Sequence, residues 1–169
     1  MKISKKRRLI PFDKEMSSQL CQWIRNEKEL VFWSGNTFGG KSFSVQAMHI
    51  HLRNTMILPY SVNDSNGDLL AYGEIVKKDY NRINLCRIIV NPKNRGMGLG
   101  RLFGQLLLEE CKSFRTYKCV RLNLLKGNTA AIRCYLSLGF RQIGRVSKAR
   151  KIGSEEVDLI IMSKSLSDI

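Results

Sequence analysis

A glycine-rich hexapeptide, Arg95-Gly96-Met97-Gly98-Leu99-Gly100, lies directly between a run of β-branched residues and a segment with helical periodicity. Glycines let a backbone turn tightly and approach a ligand closely. A helix that starts there offers unpaired N–H groups and the positive end of its macrodipole. Strand, glycine turn and helix N-terminus together suit an anion, most naturally a phosphate. Two familiar phosphate loops do not fit. A P-loop reads G-x-x-x-x-G-K-[ST], whereas Arg101 follows Gly100. A Rossmann fingerprint reads G-x-G-x-x-G, and Arg101 stands at its third glycine. From this segment alone, a turn that merely packs a helix on a strand stays open as an alternative.

Around this unit the pattern alternates. Residues 6–12 read as a first strand, and Asp13 caps a helix with Met16, Leu20, Trp23 and Ile24 on one face. Residues 30–40 are aromatic and glycine-rich, which predicts a loop or a short helical turn, and residues 44–53 a short helix. Residues 55–62 and 69–78 read as strands joined by Asp64-Ser65-Asn66-Gly67-Asp68, whose residues tolerate positive φ. Residues 82–90 form a further strand, ended by Asn91-Pro92. From Leu99, apolar Leu102, Phe103, Leu106, Leu107, Cys111 and Phe114 mark an amphipathic helix. A strand over 120–125, a helix over 128–138 ended by Gly139, and strands over 140–152 and 157–163 close the chain. That order predicts an α/β protein with a mixed sheet. No internal linker interrupts it, so residues 1–169 read as one domain.

Charge is unevenly placed. Residues 80–154 hold sixteen Lys and Arg but only two acids, Glu109 and Glu110, so they carry nearly all of the net +15. Such a field draws phosphates, nucleic acid or acidic ligands, or simply keeps a surface solvated. The five cysteines are odd in number, form no C-x-x-C pair and sit in apolar segments, so they read as buried free thiols. With His49 and His51 the only imidazoles, no metal site is expected. No apolar run approaches the ~20 residues of a membrane span. The basic N-terminal segment lacks a secretory apolar stretch, so a cytoplasmic protein without membrane attachment is expected.

A second motif follows the glycine loop at a fitting distance. Leu122-Asn123-Leu124-Leu125 leads into Asn128-Thr129-Ala130-Ala131-Ile132-Arg133-Cys134-Tyr135, and Leu138-Gly139-Phe140 ends it. The spacing R-x-x-G-x-G after a strand, then N-x-x-A-x-x-x-Y and L-G-F, resembles the GNAT superfamily of acetyl-CoA-dependent N-acetyltransferases. The resemblance is close over residues 69–140 and loose before them. It implies a single GNAT-like α/β domain, with a mixed, mostly antiparallel sheet of about seven strands flanked by about four helices.

The resemblance further implies acetyl-CoA as cosubstrate and no metal. The strand before the glycine loop splays from its neighbour, and pantetheine enters between them along Ile88, Ile89 and Val90. Backbone amides of Arg95, Gly96, Met97, Gly98, Leu99, Gly100 and Arg101 hold the pyrophosphate. Asn128 matches a cofactor-contacting asparagine, and it equally suits an N-cap. Tyr135 matches the general acid that protonates the leaving thiolate; the plain alternative is a half-buried aromatic. Where many relatives place a basic glutamate, this chain has Asn84 and Asn123. Glu74 is the remaining candidate base, set against a cross-strand ion pair with Arg87. Phe32, Trp33 and Phe38 fall where the family lines its acceptor cleft, or else simply pack on the sheet.

The expected reaction is acetyl transfer to a primary amine by direct attack in a ternary complex. A basic nucleic-acid or ribosome-binding module, and a non-catalytic CoA-binding GNAT domain, are the rival readings. The first has no DNA- or RNA-binding motif behind it, so no specific nucleic acid is expected. The acceptor is open between a small molecule and a protein N-terminus, with the basic charge disfavouring polyamines. Oligomeric state is not legible, and a homodimer stays open.

Overall fold

The computed structural model describes residues 7–39 and 43–168. Its first half contains β1 (Ile10–Pro11), a 3-10 turn (Lys14–Met16), α1 (Ser17–Cys21), α2 (Glu27–Ser34) and α3 (Val45–His51). Then come β2 (Ile57–Asn63), β3 (Leu69–Asp79), β4 (Arg82–Val90), α4 (Leu99–Ser113), β5 (Cys119–Leu125), α5 (Thr129–Ser137), β6 (Arg141–Ile152) and β7 (Glu155–Ser165). Among the described residues seven strands form one sheet in the order β1-β2-β3-β4-β5-β7-β6, and only β4 and β5 run parallel. This is the mixed, mostly antiparallel sheet that the sequence implied.

Two N-terminal expectations need correction. The strand over 6–12 pairs only at Ile10 and Pro11, against Ser61 and Tyr60 of β2, while its first residue lies outside the described residues. The first helix is shorter than its apolar spacing suggested: Asp13 caps the 3-10 turn, and α1 ends at Cys21. Residues 30–39, expected as a loop or a short helical turn, are divided: the first five end the eight-residue helix α2 at Ser34 and the rest turn, while Gly40 lies outside the described residues. Asn26 starts that helix by accepting from the Glu29 amide at 2.9 Å, and Glu29 reaches back to the Arg25 amide at 2.8 Å. Reciprocal bonds of this kind satisfy amides that a helix start leaves open.

Apolar alternation builds a core on each side of the sheet. Ile83, Leu85, Val120 and Leu122 pack with Phe103 and Leu107 of α4. On the opposite side Phe12, Leu20, Trp23, Met48, Tyr72 and Ile89 form a second cluster. Gly104 lets α4 meet α5, since a Cβ there would lie 2.6 Å from Leu138 Cδ1. All five cysteines are free, but only Cys111 is fully buried; the other four are partly exposed.

Candidate active site

β4 and β5 stay in register for three residue pairs: Arg82 with Cys119, Ile83 with Val120, and Asn84 with Arg121. Past that point the strands part, although β4 continues to Val90 and β5 to Leu125. On its other side β4 remains paired with β3 as far as Val90. The inner edge of β4 therefore faces a gap, and an amide-bearing chain can enter there as an added strand.

A bulge sits at this gap. Tyr72 pairs with Ile89 and Glu74 with Cys86, so Gly73 faces two residues, Arg87 and Ile88. Arg87 takes a left-handed φ of 49°. Glycine is required opposite, because a Cβ at position 73 would lie 2.9 Å from both Ile88 Cγ1 and Phe103 Cε1.

Glu74 anchors the bulge. Its side chain is fully buried. One carboxylate oxygen accepts from Tyr72 Oη at 2.6 Å and from His51 Nε2 at 2.9 Å. The other accepts from Arg87 Nε at 2.7 Å and also from Arg87 Nη2. Burial pushes the Glu74 pKa up, but the bonds from His51 and Arg87 outweigh it and hold the carboxyl below its usual range. An ionised carboxylate only accepts, so His51 Nε2 carries its ring proton here. The Arg87 carbonyl in turn accepts from Trp33 Nε1 at 2.7 Å.

The glycine loop ends on α4. Gly96 and Gly98 adopt φ of 75° and 76°, which L side chains rarely adopt. Gly98 caps α4 without any side-chain bond, so the first-turn amides keep free donors. A Cβ on either glycine would meet nothing within 4 Å, and one on Gly100 would touch only Val90 Cγ2 at 3.7 Å. Open space in front of free amides fits a pyrophosphate. A groove of ≈ 720 Å³ runs from there past Ile88, Ile89 and Val90, with Arg95, Arg101 and Arg133 along it. Arg133 was not foreseen; it follows Asn128 on α5 at a spacing that brings it to the groove.

A second cavity of ≈ 620 Å³ is lined by both strands of the β4–β5 gap, Asn84 to Ile88 on one and Arg121 to Leu125 on the other. Phe32, Trp33, Ile88, Asn128, Ala131 and Tyr135 border both spaces. Tyr135 is thus the titratable side chain at their junction. Its pKa is raised by burial first, then by Cys134 and Cys86. A phenol in that state keeps its proton at neutral pH. Asn128 Oδ1 accepts from the Ala131 amide at 3.4 Å, so the capping role is present beside any contact with a ligand.

The remaining expected residues separate. Phe32 and Trp33 border the cavities, whereas Phe38 lines neither and stacks behind Trp33 at 5.7 Å between ring centroids. Glu74 borders neither cavity. Lys78, Arg82, Arg121 and Arg150, none of them foreseen as site residues, line the second cavity together with Asn84 and Asn123. Their signal was the strand alternation of Arg82 and Asn84 with buried Ile83 and Leu85. Among the described residues no group of three or more His, Cys, Asp or Glu could hold a metal ion. None of the described helices is long and apolar enough to cross a membrane.

This geometry has known counterparts. The chain matches the acetyltransferase (GNAT) family over residues 14–140, and it belongs to that family. It is accordingly an acetyltransferase of the GNAT type. Its fold is similar to spermidine N-acetyltransferase from Vibrio cholerae in complex with CoA and spermine, at 17% identity and TM-score 0.82 over 97% of this chain and 98% of that one. It also resembles ribosomal-protein-S18-alanine N-acetyltransferase from Escherichia coli, at 18% identity and TM-score 0.72 over 95% and 94% of the chains. A phosphinothricin acetyltransferase from Sinorhizobium meliloti, in complex with acetyl-CoA, gives 15% identity and TM-score 0.77 over 94% and 88%.

Proposed function

We propose that the protein acetylates a primary amine by direct attack within a ternary complex, with Tyr135 as the general acid. The observation that supports this reading is the junction of the two cavities at Tyr135. The groove over the glycine loop takes the cosubstrate, which supplies a thioester. Pantetheine lies along the inner edge of β4, and the amides from Arg95 to Arg101 hold the pyrophosphate. The second cavity, lined by both strands of the β4–β5 gap, delivers the amine. As the acyl bond to sulfur breaks, Tyr135 Oη gives its proton to the departing thiolate.

Glu74 has a positioning role in this scheme rather than the role of base. Both of its oxygens are occupied, and four donors to one buried carboxylate leave it poorly disposed to take a proton. It fixes Arg87 and hence the bulge beside the reacting atoms. The amine attacks in its neutral form, having lost any extra proton through water, and the N–H proton it sheds on becoming the amide returns to the Tyr135 phenolate. A polyamine such as the spermine held by the Vibrio cholerae enzyme suits this cavity poorly, because its charged lining is basic.

Thiol release from acetyl-CoA across a panel of amines, peptides included, tests the reading. Turnover of at least one amine is expected, with acetylation of that amine seen by mass spectrometry. Hydrolysis of acetyl-CoA without any acetylated amine defeats it.

A further inference from the structure

Four side chains around the second cavity carry buried polar atoms with no hydrogen-bond partner: Arg82 Nε, Arg121 Nε, Arg150 Nε and Asn84 Oδ1. The three arginine nitrogens are donors, and since buried donors are normally satisfied, their clustering at one cavity calls for an acceptor. Asn84 Oδ1 is itself an acceptor and has no part in binding an anion. The arginines come from separate strands. Arg82 and Asn84 alternate along β4, Arg121 is the register partner of Asn84 on β5, and Arg150 reaches in from β6. Lys78 adds a further cation from β3, and among the described residues no Asp or Glu lines the cavity. Asp79 holds Arg82 through Nη2 at 3.0 Å at the hairpin and Glu74 holds Arg87, which leaves Arg121 and Arg150 as the lining arginines without a carboxylate partner among the described residues.

Resting on the acetyl-transfer reading above, we propose that the acceptor is a small amine carrying an oxyanion, a carboxylate or a phosphate, bound by Arg121 with Arg150. Guanidinium groups pair with such anions through two parallel N–H bonds, which fixes orientation as well as charge. A cavity of ≈ 620 Å³ is in the size range of small-molecule sites. The anion and the amine sit at different ends. Asn84 and Arg121 mark where β4 and β5 part, while Ile88 beside Tyr135 lies four residues further along β4. The bulge takes up one of those residues, so at ~3.3 Å per residue the separation is about 10 Å of strand, less the reach of an arginine. The acceptor therefore holds its charges further apart than an α-amino acid does.

Matched amines test this. The probes are ω-amino carboxylates and ω-amino phosphates of graded length, each beside its neutral amide or alcohol, with spermidine and a short peptide as controls. The anionic member of a pair is expected to have kcat/KM about 10- to 100-fold higher, the scale of one or two charge-assisted bonds. Carboxylate and phosphate series tell the two anions apart. Arg121→Gln is expected to shrink the anionic advantage, and Arg150→Gln provides a second variant, each checked for folding by its melting temperature. A preference for neutral, cationic or peptide amines overturns the inference. So does an unchanged preference in both variants. A separate binding measurement uses the CoA-saturated protein, whose pyrophosphate site is filled, with inorganic phosphate or succinate as probe. Stabilisation by either anion that Arg121→Gln removes upholds the site even if no amine is turned over, an outcome that would count only against acetyl transfer. No stabilisation by either anion sinks the anion site itself.

Discussion

Asn84 and Arg121 are the last register partners of the parallel pair β4–β5, and both turn to the same side of the sheet as the second cavity. One residue pair thus ends the strand contact and begins the proposed acceptor site. The groove proposed for the cosubstrate and the cavity proposed for the acceptor both depend on that parting. Continued pairing to Val90 would close the gap between them.

Acetyl-CoA should raise the melting temperature, since a ligand of the native state stabilises it by mass action. Gly100→Leu should abolish that rise with little change in the free protein. Position 100 is inside α4, where a Cβ meets only ordinary contact with Val90, yet its side chain would project into the groove. Gly98→Leu should remove the rise as well. It should also destabilise the free protein by about 1–2 kcal/mol, because φ at position 98 is left-handed. Thermal scans with and without 1 mM-scale acetyl-CoA, on the order of 100 times a micromolar-range Kd, read both effects.

Salt should weaken cosubstrate binding. Arg95, Arg101 and Arg133 border the groove near the free amides of α4, and exposed charges are screened at about 10 Å in 0.1 M salt. Calorimetric titration of CoA at rising salt is expected to show falling affinity. A salt-independent Kd would mean that these arginines do not contact the phosphates.

Tyr135→Phe should lower turnover by on the order of 10²–10⁴, the usual scale for a general acid. Ring packing against Phe140, at 5.7 Å between centroids, is retained, so acetyl-CoA binding should barely change. Stopped-flow turnover on a confirmed acceptor, beside a CoA titration, separates the two effects. Full activity in Tyr135→Phe would show that the thiolate is protonated from elsewhere.

Much of this arrangement is legible in the sequence because it rests on local chemistry. The Arg95–Gly100 loop, the α4 stripe and the Asn128–Tyr135 segment each carry their own period or glycine pattern. The bulge does not. Strict alternation along β4 from Ile83 and Leu85 would place residue 89 on the α4 side. The extra residue at Arg87 reverses that parity, and Ile89 joins the opposite core beside Trp23 and Tyr72. Nothing in the strand's composition announces it. Its determinants are Gly73 on the neighbouring strand and the Glu74 network, which are tertiary. The cationic cavity was half visible: the charge excess was located, but strand parting decides which arginines converge. The start of α2 is legible in the sequence as well, since Asn26-Glu27-Lys28-Glu29 is a helix-start pattern.

Glu74→Gln offers the sharpest separation of positioning from base catalysis. Removing one partner of a buried ion pair costs about 3–5 kcal/mol, since Arg87 stays buried with its charge uncompensated. A large fall in melting temperature at pH 7 is therefore expected. The pH dependence follows from the depressed pKa of Glu74. A carboxyl with a lower pKa folded than unfolded contributes its stability above the unfolded value, near ~4.3 for Glu. That contribution is lost as pH falls through that range toward the native pKa. Wild-type protein should thus lose stability on acidification more steeply than Glu74→Gln, and the two curves should converge at low pH. Any loss of turnover in the variant should be the same at neutral and alkaline pH, because a displaced bulge is not repaired by deprotonating the amine. Recovery of rate at high pH with an unaltered melting temperature is what a true base would give, and it would return Glu74 to the catalytic step.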